Sequence, residues 1–283
     1  MAKKKTIYDF SLMKKEGKKI VFLTSYDFPT ASFAEAAGLD MLLVGDSLGM
    51  CVYGYEGTVP VTMEQMIFHS QAVRRGAPNT FLIGDMPFMS YQSSIEKAVE
   101  NAARFLKEAG CDAIKLEGGK RVASTIRAIV DAGIVVMGHI GLTPQSSGQL
   151  GGHKAQGRTL EAARLVVEDA LAVQGAGAHM ILLEAIPPEV GVYIAKTLTI
   201  PVLSIGAGPG CDGQLLIVSD LIGQFQAFTP KFVKRYCDVA GVVTDAMKRY
   251  ADDVRNCAFP EEIHCYRMLE GEAEKFEEFT KGT

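Results

Sequence analysis

The sequence predicts a (β/α)8 barrel of the TIM type, with a doubly wound open sheet as the competing architecture. Three observations lead to this prediction. Short apolar runs recur eight times along the 283 residues, helical patterns follow most of them, and the runs are nearly continuous in Val, Ile and Leu. Parallel strands that are buried on both faces have this composition. Strand–helix alternation is common to both architectures, but a count of eight strands favours the barrel.

The predicted strands follow one another from residue 19 to residue 220. In chain order they are Lys19–Ser25, Met41–Ser47, Thr80–Met86, Ala113–Gly119, Ile134–Ile140, Met180–Ile186, Val202–Ala207 and Leu215–Asp220. Strands two and three echo each other, since each contains an apolar run followed by glycine and aspartate. The gap between the seventh and eighth strands is short and leaves room for little helix.

Helix signals lie between the strands. Thr62–Gln65 has the capping-box pattern, in which two side chains satisfy the free N–H groups at a helix start, and Gly76 would end that helix. Ser93–Glu96 has the same pattern, and its helix would end near Gly110. Thr159 starts a further predicted helix, so each of these segments supports strand–helix alternation.

One domain, 1–283, accounts for the whole chain in this interpretation. The segment Thr6–Lys15 precedes the first strand and is expected to form a helix that caps the barrel floor. The charged stretch from about residue 255 to 283 is helical in pattern. We expect it to form a tail outside the barrel that contacts a partner subunit.

Charge and composition argue against several classes of protein. The formal net charge is −4 and no basic stripe carries interleaved aromatics, so we expect no nucleic-acid partner. No apolar run approaches the roughly 20 residues of a membrane helix, and no apolar segment follows the N-terminal lysines as in a secretory signal. The six cysteines form no C-x-x-C pair, which is typical of free thiols in a reducing cytoplasm. We therefore expect a cytoplasmic protein.

Strands two and three share the pattern of an apolar run, a glycine and an aspartate. The aspartates are Asp46 at the end of strand two and Asp85 at the end of strand three. In a barrel both would point into the mouth at the carboxyl ends of the strands, where barrel enzymes carry out their chemistry. Two carboxylates in one cavity repel each other unless a cation or a proton joins them. Oxygen ligands suit Mg²⁺, so the pattern predicts a metal-assisted enzyme. The alternative for each aspartate is the N-cap of the following helix.

Further ionisable residues lie on strands four to six. Strand periodicity puts Lys115 and Glu117 on one face of strand four, where they are costly unless they meet partners. A structural ion pair at the rim is the alternative. Glu184 follows an apolar run and is poorly solvated, which suits a general base, although a helix cap or a rim salt bridge is also open. His139 either binds substrate or caps the end of strand five.

These segments resemble the ketopantoate hydroxymethyltransferase (3-methyl-2-oxobutanoate hydroxymethyltransferase) family. The matching stretches stand in the family's order, extend roughly from Thr6 to Pro230, and depart only mildly from its pattern. They are Thr24–Asp27, Val44–Met50, Pro60–Thr62, Gly84–Tyr91, Lys115–Gly119, Gly138–Gln145, Gln156–Arg158, Ile205–Gly208 and Cys211–Gln214.

The resemblance implies a barrel of the phosphoenolpyruvate mutase/isocitrate lyase-like group. It implies transfer of a hydroxymethyl group from 5,10-methylenetetrahydrofolate to 3-methyl-2-oxobutanoate. The product is 2-dehydropantoate, formed through a Mg²⁺-stabilised enolate, in pantothenate and coenzyme A biosynthesis. It also implies a large homo-oligomer whose partners are a small 2-oxoacid and a reduced folate, with Mg²⁺ or another divalent ion as cofactor.

Site residues are carried over position by position. Asp46 and Asp85 match the metal ligands, and Glu117 matches a third acidic group at the metal, bound directly or through water. Contacts to the 2-oxoacid match Asp46, Asp85, Ser47 and Lys115.

The catalytic base of the family matches Glu184. Three other functions stay open: a Mg²⁺-dependent 2-oxoacid lyase or mutase of the same barrel group, a Schiff-base aldolase that uses Lys115, and an inert barrel that senses a ligand. The missing K-K-C-G-H-like segment counts against an isocitrate lyase. Nearby acidic groups favour a charged lysine and so count against the aldolase, and the intact site residues count against the sensor.

Overall fold

The computed structural model describes residues 4–282, and the chain divides into two compact units, one up to Tyr236 and one from Cys237. In the first unit eight parallel strands close into a barrel in chain order, which confirms the predicted fold class. The strands are β1 Ile20–Thr24, β2 Met41–Val44, β3 Phe81–Asp85, β4 Ala113–Glu117, β5 Val136–Gly141, β6 Met180–Glu184, β7 Val202–Ile205 and β8 Gly213–Leu216.

Ten helices accompany these strands among the described residues of the first unit. They are α1 Ile7–Lys15, α2 Phe28–Ala36, α3 Leu48–Cys51, α4 Met63–Gly76, α5 Ile95–Ala109, α6 Ala123–Asp131, α7 Ser147–Leu150, α8 Leu160–Gly175, α9 Pro188–Thr197 and α10 Val218–Leu221. Short 3-10 turns occur at Lys120–Val122 and Pro144–Ser146. No helix separates β7 from β8 in the described chain, as the short gap in the sequence predicts.

Helix starts follow local hydrogen bonding. Thr62 forms the predicted capping box with Gln65 at the start of α4. The predicted box before α5 is wrong, because the N-cap is Ser94, whose hydroxyl accepts from the N–H of Lys97. Glu96 is then the second helical residue and cannot close a box, which requires the third.

The last strand begins earlier than its apolar residues suggest. The predicted range Leu215–Asp220 is wrong, because pairing with β1 starts at Gly213 and the chain is already helical from Val218. A Cβ at Gly213 would lie 2.4 Å from the Ile20 carbonyl oxygen, so only glycine fits this close approach.

Two apolar clusters surround the strand layer. One fills the space between strands and helices, and the other fills the barrel interior. Phe10 of α1 belongs to the interior cluster and is fully buried, with its ring edge-on to Phe81 at 5.1 Å between centroids. The apolar packing at this amino-terminal end of the strands leaves the carboxyl ends for polar side chains.

The second unit contains α11 Val239–Arg255, a 3-10 turn at Glu262–His264 and α12 Glu272–Lys281. The predicted tail from about residue 255 lies within this unit. Across residues 4–282, none of the helices combines the length and apolar character that a membrane crossing requires.

Candidate active site

A cavity of about 990 Å³ opens at the carboxyl ends of the barrel strands. Every site residue that the sequence predicts lines this one cavity, namely Asp46, Ser47, Asp85, Lys115, Glu117, His139 and Glu184. Residues that are up to 138 positions apart in the chain are thus brought together by strand order alone, as expected for a barrel.

Strand periodicity and register place the charged side chains of β4. Ala113 belongs to the barrel interior cluster, so Lys115 and Glu117 on the same face also point inward. In the parallel register Lys115 pairs with Asp85 of β3, and Glu117 pairs with His139 of β5. Strand periodicity and register together therefore place these ionisable groups in two neighbouring layers of the barrel, Asp85 with Lys115 and Glu117 with His139.

Asp85 and Lys115 form a buried ion pair. Asp85 Oδ1 lies 2.8 Å from Lys115 Nζ, and Asp85 Oδ2 accepts the Asp46 backbone N–H at 3.0 Å. Burial raises the pKa of Asp85 well above its ordinary value, although Lys115 acts in the opposite direction. Burial alone would lower the pKa of Lys115, but the surrounding carboxylates outweigh it and raise that pKa. Lys115 is therefore an ammonium group.

Glu117 and Asp46 are two further buried carboxylates that line the cavity. Gln145 donates to both of them, from its backbone N–H to Glu117 Oε2 at 3.0 Å and from Nε2 to Asp46 Oδ2 at 2.9 Å. Burial raises the pKa of Glu117 to about 7. Burial and the nearby Glu117 also raise the pKa of Asp46. Neither Asp46 nor Asp85 caps the following helix, since Ser47 is the N-cap of α3 and Ser94 is the N-cap of α5.

These carboxylates fit a divalent cation. Each has one oxygen held by an N–H donor. Asp85 Oδ1 is already paired with the Lys115 ammonium, whereas the buried Glu117 Oε1 accepts no hydrogen bond. A buried carboxylate oxygen without a donor is costly unless a cation neutralises it. No preformed cluster of three or more His, Cys, Asp or Glu occurs within residues 4–282. Mg²⁺ needs only one or two carboxylates beside water and substrate oxygens.

His139 lies between Lys115 and Glu184. Its Nε2 lies 3.1 Å from Glu184 Oε2, and its Nδ1 lies 3.2 Å from Lys115 Nζ. Since an ammonium group only donates, Nδ1 accepts from Lys115 and the ring proton is on Nε2, facing Glu184. Burial and the Lys115 charge lower the pKa of His139, which keeps the ring neutral. The Glu184 side chain is 15% exposed, so it reaches the open part of the cavity.

A directed chain of hydrogen bonds ends at Ser47. The Val218 N–H donates to Thr24 Oγ1 at 3.0 Å, and Thr24 donates to Tyr26 Oη at 3.0 Å. Tyr26 Oη lies 2.8 Å from Ser47 Oγ. The Cys51 thiol also lies beside Tyr26, but sulfur is a weak acceptor. Tyr26 therefore donates to Ser47, whose own proton is free to point into the cavity.

Sequence reasoning missed three residues at this site: Tyr26, Thr58 and Gln145. Tyr26 and Gln145 stand inside segments that carry the family resemblance, yet no spacing rule marks them. Thr58 lines the cavity with a buried hydroxyl that accepts no hydrogen bond. It lies in a loop without periodicity, where the sequence carries no signal for a side chain's direction.

Comparison with known proteins gives a family and a fold. A family model described as ketopantoate hydroxymethyltransferase matches residues 4–262. The chain is 63% identical over 282 residues to the 3-methyl-2-oxobutanoate hydroxymethyltransferase of Alkaliphilus metalliredigens. This alignment covers 99% of this chain and 100% of the relative. The enzyme of that name from Desulfotalea psychrophila is 51% identical over 263 residues, with 93% and 94% coverage.

Solved structures with the same fold are more distant in sequence. A phosphonopyruvate hydrolase in complex with oxalate and Mg²⁺ has a TM-score of 0.61, 14% identity and 98% coverage of both chains. A 2,3-dimethylmalate lyase, a member of the PEP mutase/isocitrate lyase superfamily, has a TM-score of 0.59, 17% identity and 98% coverage of both chains. These likenesses show that the chain shares the barrel fold of these proteins.

Proposed function

The chain belongs to the ketopantoate hydroxymethyltransferase family, and on that premise we propose that it transfers a hydroxymethyl group from 5,10-methylenetetrahydrofolate to 3-methyl-2-oxobutanoate. The product is 2-dehydropantoate, and the reaction belongs to pantothenate and coenzyme A biosynthesis in the cytoplasm. The observation that carries the proposal is the contact between His139 and Glu184 beside the buried carboxylates and Lys115. This arrangement supplies a base and a positive charge in one cavity.

Asp46 and Asp85 would hold Mg²⁺ or another divalent ion, and Glu117 would join them directly or through water. The buried Glu117 Oε1, which accepts no hydrogen bond, and the raised pKa values of Asp46 and Asp85 support this assignment. When bound, Mg²⁺ supplies a Lewis acid that stabilises negative charge on the oxygens of a 2-oxoacid.

Glu184 is the proposed base. It removes the C3 proton of the 2-oxoacid, and the electron pair of that C–H bond becomes the C2–C3 double bond of an enolate. His139 Nε2 lies 3.1 Å from Glu184 Oε2, and this contact orients the carboxylate before the reaction. Because the side chain is partly exposed, the proton can leave for solvent in a later step.

Lys115 and Ser47 bind the substrate's charge. The Lys115 ammonium offsets the negative charge that grows on the substrate oxygens, in a site where burial strengthens the interaction. Ser47 donates its free proton to the carboxylate of the 2-oxoacid. Both contacts use side chains whose donor direction is already set by their neighbours.

The enolate carbon then forms the new C–C bond to the methylene carbon, and the two C–N bonds that join this carbon to the folate break. Water supplies the hydroxyl oxygen of the hydroxymethyl group. Tetrahydrofolate leaves, with its two nitrogens taking up the proton from C3 and the remaining proton of the water. C3 carries two methyl groups and one proton, so only one addition is possible. A cavity of about 990 Å³ is at the upper end of the range for small-molecule sites, about 300–1,000 Å³. Such a volume suits two substrates bound together.

We also propose that the chain forms a large homo-oligomer. An apolar stripe on α11, formed by Val243, Met247, Tyr250 and Val254, supports this proposal, since these exposed residues recur at helical spacing on one face. Light scattering coupled to size exclusion tests it, and a monomer at micromolar concentration would contradict it.

The transfer is tested with purified protein, 3-methyl-2-oxobutanoate, Mg²⁺ and methylenetetrahydrofolate labelled with ¹³C in the methylene group. We expect mass spectrometry to show 2-dehydropantoate carrying one ¹³C atom. Cleavage of a 2-oxoacid without folate would instead support the lyase or mutase alternative. A covalent adduct trapped by borohydride would support the aldolase.

A further inference from the structure

Gln145 is a buried residue that contacts two carboxylates of the cavity wall, Asp46 and Glu117. Its Nε2 donates to Asp46 Oδ2 and to the Met86 carbonyl oxygen, both at 2.9 Å. Its Oε1 accepts the Tyr91 hydroxyl at 2.7 Å and Gln92 Nε2 at 3.4 Å. A primary amide has two N–H donors and one carbonyl acceptor, so every group of this side chain has a partner.

These partners fix which way the amide faces. Tyr91 accepts the Glu117 N–H at 3.1 Å, and its own proton has two acceptors, Gln145 Oε1 at 2.7 Å and the Glu117 carbonyl oxygen at 3.2 Å. Burial raises the pKa of Tyr91 well above its ordinary value, so the phenol keeps its proton. A flipped amide would turn its nitrogen towards Tyr91 and its oxygen towards Asp46, where a carboxylate cannot donate. The nitrogen must therefore face Asp46.

The backbone of the same residue holds the second carboxylate. The Gln145 N–H donates to Glu117 Oε2 at 3.0 Å, while the side chain occupies Asp46 Oδ2. One residue thus directs two carboxylates from different strands, β2 and β4. In each case the donor occupies one oxygen, while Glu117 Oε1 accepts no hydrogen bond.

We propose that Gln145 is the positioning residue of the divalent-cation site, which turns one oxygen each of Asp46 and Glu117 towards the ion. This inference rests on the proposed function, because it takes these two carboxylates as metal ligands. Donors behind a ligand orient it and tune its basicity, and their loss typically weakens metal binding about 10- to 100-fold.

The test is the affinity of the full-length protein for Mn²⁺, measured by electron paramagnetic resonance without either substrate. Gln145→Met keeps the backbone donor to Glu117 and the length of the side chain but removes the donor to Asp46. We expect its dissociation constant for Mn²⁺ to rise about 10-fold or more. Tyr91 retains the Glu117 carbonyl oxygen as an acceptor in this variant.

Gln174→Met is the matched control. Gln174 Oε1 accepts three hydrogen bonds before β7, from Thr199 and Ile200, outside the cavity. We expect this variant to lose stability and to bind Mn²⁺ like the wild type. A purely structural role for Gln145 would instead leave the folded Gln145→Met protein with wild-type Mn²⁺ affinity, as expected for Gln174→Met.

Tyr91→Phe keeps the inference testable if Gln145→Met does not fold. It leaves the Gln145 amide in place but removes the donor that sets its direction, so we expect a smaller loss of Mn²⁺ affinity. Wild-type Mn²⁺ affinity in both variants would overturn the proposed role of Gln145 and leave the proposed metal site standing. No Mn²⁺ binding by the wild-type protein would overturn the proposed metal site and the inference together.

Discussion

His139 presents its Nε2 to Glu184 Oε2 at 3.1 Å, while Lys115 Nζ lies 3.2 Å from the other ring nitrogen. The ammonium group sets the tautomer of the imidazole, and the imidazole in turn holds the carboxylate. The Lys115 ammonium group, which neutralises the buried carboxylates, therefore also influences, through His139, the direction in which the Glu184 carboxylate points. Removing either end of this contact has a distinct consequence.

We expect His139→Phe, which has no N–H to face Glu184, to slow C3 proton removal about 10- to 100-fold, because a hydrogen bond to a charged group contributes about 1.5–3 kcal/mol. The variant should still bind the 2-oxoacid, since it keeps Ser47 and Lys115, the residues proposed to contact the substrate. Exchange of the C3 proton measures the step, and calorimetry measures binding. Exchange at the wild-type rate would contradict the positioning of Glu184 by His139.

Glu184→Gln should reduce turnover about 100- to 10,000-fold, the range for loss of a general base. Binding of Mg²⁺ and of the 2-oxoacid should persist, because the proposed ligands are untouched. Glu189→Gln is the matched control, since Glu189 is an exposed carboxylate in the first turn of α9. Near-normal turnover by the Glu184 variant would remove this residue from the base role.

Lys115→Met should destabilise the metal-free protein by about 3–5 kcal/mol, because it leaves buried carboxylates without their counter-charge. Added Mg²⁺ should recover part of the loss, since a ligand of the folded state stabilises it. Lys120→Met is the control, because Lys120 and Glu168 form an exposed pair that contributes little. Denaturant unfolding compares the two, and equal midpoints would contradict the account.

Tyr26→Phe should weaken 2-oxoacid binding about 3- to 10-fold, the contribution of roughly one hydrogen bond. It frees the Ser47 hydroxyl, which can then turn away from the substrate. Tyr55→Phe removes a comparable phenol that bonds Gln65 and should leave affinity unchanged. In a double variant with Ser47→Ala the Tyr26 effect should vanish. If the double variant instead lost affinity by the product of the two single losses, Tyr26 would not act through Ser47.

Metal affinity should rise with pH through neutrality. Burial raises the pKa of Glu117 to about 7, so below pH 7 a proton occupies the carboxyl and competes with the ion. In the metal-free protein the same shift has a stability consequence: this carboxyl favours the folded state at low pH, and the benefit is lost as pH rises through 7.

Mn²⁺ titrations from pH 6 to 8 measure this competition. Glu117→Gln should bind Mn²⁺ more weakly and with a smaller dependence on pH. An affinity that falls as pH rises would contradict the assignment of Glu117 to the metal.

The barrel and the convergence of its acids follow from the sequence for a simple reason. The carboxyl ends of parallel strands share one mouth, and a period of two fixes the faces of Lys115 and Glu117. The pairing of individual atoms does not follow, because the Asp85–Lys115 contact depends on the register between β3 and β4. That register is a property of tertiary packing.

Residues contributed by loops were beyond prediction. Gln145 reaches Asp46 across 99 positions in the chain, and only the path of the chain after β5 brings them together. The start of β8 was missed for a related reason: Gly213 pairs because it is small, whereas the apolar run at Leu215–Val218 already leads into α10. Apolar content alone does not mark where backbones approach most closely.

Proton NMR of 3-methyl-2-oxobutanoate in D₂O with the protein tests the central claim most directly. The account predicts loss of the C3 proton signal with Mg²⁺, its retention with EDTA, and its retention with Glu184→Gln. Full exchange in EDTA would contradict the metal assignment. No exchange under any condition, with or without tetrahydrofolate, would contradict enolate formation from this 2-oxoacid.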